Sequence, residues 1–102
     1  MVIISGTIKL ESEEELARVK TALIGRAERS RRDAGNIDYV FSQSLEDPTE
    51  IRLIEKWESE DLLNAHLQVP DEEFNTLIAT ARIEKAVVNA SDVTNDRILM
   101  ER

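Results

Sequence analysis

The sequence contains no cysteine and a single histidine, so the side chains that most often bind transition metals are nearly absent. No disulfide is possible within the chain, and a thiolate zinc site or a two-histidine iron site is not expected. The chain also lacks a glycine-rich phosphate loop and a dinucleotide-binding fingerprint, and it has only three glycines. We therefore expect any chemistry to proceed without a metal, a flavin or a nicotinamide cofactor.

Basic residues are scarce as well, because 13 lysines and arginines stand against 21 aspartates and glutamates, which gives a net charge of −8. Such a surface repels nucleic acids and anionic membranes. No apolar run approaches the ~20 residues that span a bilayer, and the first residues do not have the pattern of a signal peptide. We expect one domain over residues 1–102, located in the cytoplasm, with neither nucleic acid nor membrane as its partner.

Hydrophobic spacing predicts four strands and three helices, because apolar residues recur at the strand period in some segments and at the helical period in others. Strands are predicted at Val2–Leu10, Asn36–Leu45, Ile51–Glu58 and near Glu84–Thr94. Helices are predicted to begin after the N-cap residues Ser12, Ser59 and Asp71. The order β-α-β-β-α-β, with a split second helical layer, predicts an α+β, ferredoxin-like fold with an antiparallel sheet.

Both faces of the predicted sheet carry apolar side chains. One parity holds Ile4, Phe41, Leu53 and Val88, and the other holds Ile3, Val40, Ile54 and Val87. A sheet with two apolar faces needs two covers, and helices supply only one of them. A second copy of the chain is the simplest other cover. We therefore predict a homodimer with sheet packed on sheet, and with the apolar tail at 96–102 crossing to the partner.

The segment 51–66 combines three chemically capable side chains. Glu55 and Trp57 share the apolar parity of the third strand, and His66 lies on the helix that follows. A buried Glu55 needs a partner, and we expect His66 rather than Arg52 to pair with it. Several arginines lie near the end of the first helix, where a solvated helix terminus is favoured over a site for an acidic substrate. These are Arg26, Arg29, Arg31 and Arg32.

Four short motifs, spaced along most of the chain, are Gly35-Asn36-Ile37-Asp38-Tyr39, Asp47-Pro48, Glu55-Lys56-Trp57-Glu58-Ser59 and Ala65-His66-Leu67, with Phe74 downstream. Together they resemble the antibiotic biosynthesis monooxygenase family, and its quinol monooxygenase branch in particular. The resemblance implies a dimeric α/β barrel of ferredoxin-like subunits and cofactor-independent oxygenation of quinols or anthrones. The haem-degrading branch is less similar, because the first strand lacks its asparagine and the helix over 71–82 lacks its histidine.

The implied chemistry is the reaction of an electron-rich dihydroxyarene with O2, which starts when the arene is deprotonated. It needs an apolar pocket, a base and shelter from water. His66 is the predicted catalytic base, because imidazole groups titrate near neutral pH. The predicted substrate-binding residues, in a pocket between the sheet and the second helical layer, are Trp57, Tyr39, Phe41, Glu55 and Phe74.

Alternative interpretations remain open for the residues and for the whole domain. In a structural role, the imidazole of His66 holds its helix on the strand and the indole of Trp57 fills the core. The domain as a whole is, in a second hypothesis, a non-catalytic dimeric ligand-binding or stress-response protein that has kept the fold. Haem binding or degradation is a third, less favoured hypothesis. Oxygen uptake with a reduced naphthoquinone separates the first hypothesis from the others.

Overall fold

The computed structural model describes residues 1–102 and contains four strands and three helices in the predicted order. Their bounds are β1 Val2–Leu10, α1 Glu13–Ser30, β2 Asn36–Gln43, β3 Glu50–Trp57, α2 Glu60–Leu67, α3 Glu72–Thr80 and β4 Ile83–Asp92. The ferredoxin-like βαββαβ order and the split second helical layer are therefore confirmed. The strand ends differ from the predicted ones by a residue or two, which is the usual spread at the ends of elements.

All three predicted N-cap residues occupy that position. The side chains of Ser12, Ser59 and Asp71 each accept a hydrogen bond from the backbone N–H three residues later, at 3.1 to 3.2 Å. Each helix also begins with acidic residues, which complement the positive end of its dipole. Gly35 lies a few residues beyond α1 with a φ of +83°, and a Cβ at this position would collide with Leu62 of α2.

The sheet is antiparallel, with the strand order β2-β3-β1-β4. Its register places the two predicted apolar sets on opposite faces: Ile4, Phe41, Leu53 and Val88 face the helices, and Ile3, Val40, Ile54 and Val87 face away from them. The two-faced pattern is therefore confirmed. The face away from the helices also carries basic side chains, namely Lys9, Arg52, Lys56 and Lys85.

Two clusters of buried side chains fill the space between the sheet and the helices. The first surrounds Trp57, which is fully buried, and contains Ala27 of α1 and Leu63 of α2. The second contains Leu77 of α3 together with residues of β1, α1 and β3: Leu10, Val19, Leu23 and Ile51. In both clusters the apolar side chains of α1 face the sheet, as the helical spacing of apolar residues predicts.

Strand β4 is the exception, because the helices leave it almost uncovered. Only Ile83, at its first position, is half-buried, and every later residue of the strand is exposed. Val88 faces the helix layer, yet it is 55% exposed. An apolar strip therefore stands open beside the helical layer. None of the three helices has both the length and the hydropathy that a bilayer span requires.

Candidate functional site

A buried arginine on α1 connects four elements of the fold. Arg26 is only 8% exposed. Its Nη1 donates to Asp71 at 3.1 Å, its Nη2 donates to His66 Nε2 at 3.1 Å, and its Nε donates to the hydroxyl of Tyr39 at 3.4 Å. The guanidinium carbon also lies 4.4 Å from the centroid of the Phe74 ring. One side chain thus links α1 to β2, α2 and α3.

The contacts of His66 determine which ring nitrogen carries the proton. Its Nδ1 lies 2.6 Å from an oxygen of Asp33, and its Nε2 faces Arg26. A guanidinium has only donors, so Nε2 must accept and the proton must be on Nδ1, which donates to Asp33. The imidazole is 2% exposed, and both of its nitrogens are occupied. A catalytic base role for His66 therefore stays a prediction that requires one of these hydrogen bonds to open.

The carboxylate of Glu55 is paired with an indole. Trp57 donates its Nε1–H to Glu55 Oε1 at 2.9 Å, because residues two apart on a strand share a face. The expectation that Glu55 pairs with His66 or Arg52 is wrong. His66 instead donates to Asp33, whereas Arg52 lies on the opposite face and pairs with Glu50. Burial raises the pKa of Glu55, and the indole hydrogen bond and the charge of Arg26 offset only part of this effect.

A second carboxylate, that of Asp71, caps α3 and binds two arginines. It accepts one hydrogen bond from the backbone N–H of Phe74 and one from Arg26. Arg29 donates three more, two to Oδ2 at 3.0 and 3.1 Å and one to Oδ1 at 2.8 Å. Burial alone would raise the pKa of Asp71, but these donors hold it below its usual range. The carboxylate is therefore an ion-pair acceptor in the folded protein.

The interpretation of the arginine cluster as a solvated helix end is wrong for Arg26 and Arg29. Arg26 is buried, Arg29 is bound to Asp71, and Arg31 donates from Nε to the backbone oxygen of Tyr39 at 3.1 Å. Arg31 and Arg32 are both exposed at the end of α1. The charges of Arg26 and Arg29 serve contacts between elements, because both side chains pair with the carboxylate of Asp71.

The six residues predicted as catalytic or substrate-binding do come together in one network. The ring of His66 lies 4.4 Å from that of Trp57 and 5.8 Å from that of Tyr39, centroid to centroid. Phe41 packs edge-on against Tyr39 at 5.7 Å, and Phe74 joins through Arg26. Glu55 joins through its hydrogen bond to the indole.

Only two of these six side chains line a cavity of the protein. Phe41 lines a groove of about 240 Å³ between α1 and the strands β2 and β3. Phe74 lines an entirely apolar cavity of about 20 Å³ between α1, α3 and the sheet. None of the four cavities of the protein is lined by the other four residues: Tyr39, Glu55, Trp57 and His66. A substrate at this network therefore has to approach from a surface or displace a side chain.

Three members of the network, namely Arg26, Asp33 and Asp71, are not among the site residues predicted from the sequence. For Arg26 a signal existed: it lies seven residues after Val19 and three after Leu23, so the helical period places it on the buried face of α1. A charge at such a position needs a partner. For Asp33 and Asp71 the sequence offers no comparable signal beyond the cap position of Asp71.

The class of protein is now defined by its fold and by this network: a ferredoxin-like α+β domain with a buried cluster of aromatic and ionisable side chains on the helix-facing side of the sheet. The sequence pattern of the family described as antibiotic biosynthesis monooxygenase matches residues 1–73, and the chain belongs to that family. The matched region contains every member of the network except Phe74. Strand β4 also lies outside it.

Solved structures share the fold. A candidate antibiotic biosynthesis monooxygenase of Deinococcus radiodurans is 23% identical with a TM-score of 0.86, covering 99% of this chain and 100% of that chain. A second candidate antibiotic biosynthesis monooxygenase, of Nitrosomonas europaea, is 21% identical with a TM-score of 0.81, covering 93% of this chain and 100% of that chain. A conserved protein of Methanosarcina mazei Go1 is 21% identical with a TM-score of 0.77, covering 89% of this chain and 91% of that chain. At these identities the likeness shows the fold alone. No curated protein matches the chain.

Proposed function

We propose that this protein is a monooxygenase that oxidises a small aromatic quinol or phenol with O2 and without a cofactor. One observation carries the proposal: in a chain of the antibiotic biosynthesis monooxygenase family, the fold gathers Tyr39, Glu55, Trp57 and His66 into one buried cluster on the sheet face whose last strand, β4, carries an open apolar strip. Ionisable and aromatic groups next to apolar surface are what an arene with a reactive hydroxyl requires.

The reaction needs no external reductant. A hydroquinone and O2 give a hydroxyquinone and water, and the arene supplies all four electrons that reduce O2. One oxygen atom enters the product and the other leaves as water. The protein must bind the arene, accept a phenolic proton so that the electron-rich phenolate forms, and limit the access of bulk water.

We place the substrate between the sheet and the second helical layer, on the side where β4 is uncovered. The helix-facing side chains of β4 are Ala86, Val88 and Ala90, and all three are exposed. The apolar cavity lined by Phe74 and Ile8 lies next to this strip, because Ile8 pairs with Ala86 across the two strands. Apolar arene surface is stabilised there by burial.

A homodimer is the form in which we expect the enzyme to act. One chain exposes 7153 Å², whereas a compact monomer of its mass exposes about 5,800 Å². The excess of roughly 1,300 Å² is larger than the ~800 Å² that each partner buries in a standard interface. Asp96 of the tail lies 3.8 Å from Lys56 on the outer face of the sheet, and the segment Ile98-Leu99-Met100 that follows is exposed.

Oxygen uptake provides the test. Purified protein is mixed with a reduced naphthoquinone or an anthrone in an oxygen electrode, with heat-denatured protein as the control for autoxidation. We expect protein-dependent uptake of one O2 per substrate, and one ¹⁸O atom in the product when ¹⁸O2 is used. Uptake equal to that of the denatured control with every quinol and anthrone tried would contradict the proposal.

A non-catalytic ligand-binding domain is the second candidate, and one observation favours it. Both nitrogens of His66 are held by the chain, and no cavity reaches the cluster around it. This candidate predicts saturable binding of a quinone, followed by quenching of the fluorescence of Trp57, with no oxygen uptake from the corresponding quinol. Binding and uptake measured on the same preparation therefore separate the two functions.

A further inference from the structure

A carboxylate oxygen within the cluster is left without a partner in the chain. Glu55 is 7% exposed, and its Oε1 accepts the indole hydrogen bond of Trp57. Its Oε2 accepts no hydrogen bond from any group of the chain. Because no fully buried side-chain oxygen or nitrogen is left unpaired, Oε2 must keep contact with solvent. A nearly buried carboxylate therefore presents one free oxygen to an incoming molecule.

The imidazole of His66 cannot offer an equivalent group in this arrangement. Its only unprotonated nitrogen, Nε2, accepts from Arg26, and Arg26 is itself anchored to Asp71 and Tyr39. Opening the contact between Arg26 and His66 would leave a guanidinium hydrogen buried without an acceptor. Oε2 of Glu55 needs no such rearrangement before it accepts a proton.

The position of Glu55 in the sheet connects it to the open strip on β4. Across the helix-facing side, Glu55 pairs with Ile4 on β1, and Ile4 pairs with Ala90 on β4. Two strand spacings are about 10 Å, a distance that an arene of two or three fused rings bridges. In the next row, Gly6 lets Val88 lie close to the sheet, since a Cβ at Gly6 would meet Val88 Cγ2 at 3.1 Å.

The charged and titratable neighbours of Glu55 come from three elements: Tyr39 on β2, Arg26 on α1 and His66 on α2. On the other side, β1 and β4 present the uncharged side chains of Ile4 and Ala90. An arene that comes from the β4 side crosses the apolar side chains of Ala90 and Ile4 before it reaches the carboxylate. Because Ile4 is only 8% exposed, the arene has to displace the side chains that cover Ile4. A neutral arene with a phenolic hydroxyl suits such an apolar path.

We infer that Oε2 of Glu55 is the catalytic base that accepts the phenolic proton of a substrate seated on β4, an inference that rests on the proposed oxygenation. The phenolic O–H bond breaks, its electron pair stays on the phenolate oxygen, and the proton forms a new O–H bond on Glu55. The proton later leaves with the oxygen atom that becomes water, so Glu55 is returned to the carboxylate. Burial raises the pKa of this carboxyl, which makes the carboxylate a stronger base.

The variant Glu55→Gln tests this role, because the glutamine oxygen still accepts the indole hydrogen bond while proton acceptance is lost. The matched control is Glu58→Gln, which removes the same charge from an exposed position just beyond β3. We expect Glu55→Gln to lower kcat for quinol oxidation by about 10²-fold or more at pH 7, and Glu58→Gln to leave it within about twofold. The wild-type rate falls on acidification as Glu55 becomes protonated, and this acid limb is absent from the variant.

A second readout does not depend on oxygen chemistry. Binding of 2-naphthol, which lacks the second hydroxyl of a quinol, is followed by fluorescence between pH 8 and pH 5. We expect wild-type affinity to fall about fivefold on acidification, since a hydrogen bond to a carboxylate is stronger than one to a carboxyl. Glu55→Gln binds more weakly at pH 8 and shows no pH dependence.

The combined outcomes separate this inference from the proposed function. Quinol oxidation that survives in Glu55→Gln within about threefold overturns the role of Glu55 and leaves the proposed function standing. If no quinol is oxidised but 2-naphthol binding depends on Glu55 and on pH, the oxygenation fails and Glu55 remains the acceptor for a phenol. Identical 2-naphthol binding by both proteins at all pH values, or none by the wild type, overturns the inference.

Discussion

Arg26 Nη2 lies 3.1 Å from His66 Nε2, and this contact fixes the imidazole as the tautomer protonated on Nδ1. The remaining hydrogen bond of the ring, to Asp33 at 2.6 Å, ties α2 to the turn after α1. His66 is thus positioned as a connector between two helices. Whether it also moves protons is decided by substitutions that preserve or remove its hydrogen bonds.

The first prediction therefore concerns His66→Gln and His66→Ala. The amide of glutamine can replace one of the two hydrogen bonds, so we expect His66→Gln to keep quinol oxidation within about tenfold of the wild type. His66→Ala removes both hydrogen bonds and leaves Arg26 without an acceptor, and we expect it to be less stable than His66→Gln in urea titrations. If both variants lose about 10²-fold in kcat while remaining folded, His66 is a base after all.

The second prediction concerns the stability that the buried ion pairs contribute through Asp71. Asp71→Asn keeps an N-cap group on α3 but removes the charge that faces Arg26 and Arg29. We expect it to lower the free energy of unfolding by about 3 kcal/mol, because a buried guanidinium loses its partner. Asp71→Ala loses the cap as well, at a further cost of about 1 kcal/mol.

Ser12→Ala is the matched control for the cap alone, since Ser12 caps α1 and binds no arginine. Its expected cost is about 1 kcal/mol. Urea denaturation followed by circular dichroism measures all three variants under one set of conditions. Equal losses for Asp71→Asn and Ser12→Ala would show that the arginine contacts contribute no more than an ordinary cap.

The third prediction concerns acid stability and Glu15. Its carboxylate accepts hydrogen bonds from Arg18 and from the backbone N–H of Arg82, and these lower its pKa to about 2. A carboxyl whose pKa is depressed by folding stabilises the protein above its unfolded pKa of about 4.3. This stabilisation is lost as the pH falls from there towards 2.

We expect Glu15→Gln to be less stable than the wild type at pH 6 and to approach it at pH 2. Thermal unfolding at the two pH values measures the difference. Glu13→Gln is the control, because Glu13 is an exposed acid in the first turn of the same helix. A gap between Glu15→Gln and the wild type that is equal at both pH values would contradict the assigned pKa.

Sequence periodicity predicted the elements and the facing of their side chains because each pattern is local. The N-caps Ser12 and Ser59 and the alternation around Leu53 lie within one element or at its start, where spacing alone determines the outcome. The family resemblance likewise brought Tyr39, Glu55, Trp57 and His66 forward. These residues do lie in one cluster.

The partners within the cluster were not predictable in the same way. Arg26, Asp33, His66 and Asp71 come from parts of the chain that only the packing of helices on the sheet brings together. Parity restricted Glu55 to one face, but it could not distinguish the indole of Trp57 from the imidazole of His66 as its partner. The packing of α2 on the sheet decides this, and it involves Leu63 of α2 and Ala27 of α1 in one core cluster, which sequence spacing does not show.

The last prediction concerns the proposed dimer and the outer face of the sheet. Ile54 is 37% exposed on β3, a strand inside the sheet, and it pairs with Val40 on the face away from the helices. A lysine at this position would place a charge in the middle of a sheet-on-sheet interface, where desolvation is costly. We therefore expect the wild type to have roughly twice the 11.6 kDa mass of one chain, and Ile54→Lys to shift towards the monomer.

Light scattering after size-exclusion chromatography, at several micromolar protein, measures both masses. Leu45→Lys is the matched control, because Leu45 is fully exposed in the turn between β2 and β3 and belongs to neither face of the sheet. It should retain the wild-type mass. A wild-type monomer would contradict the dimer directly, whereas an Ile54→Lys dimer would show that the chains associate through another surface, for which the uncovered side of β4 is the first candidate.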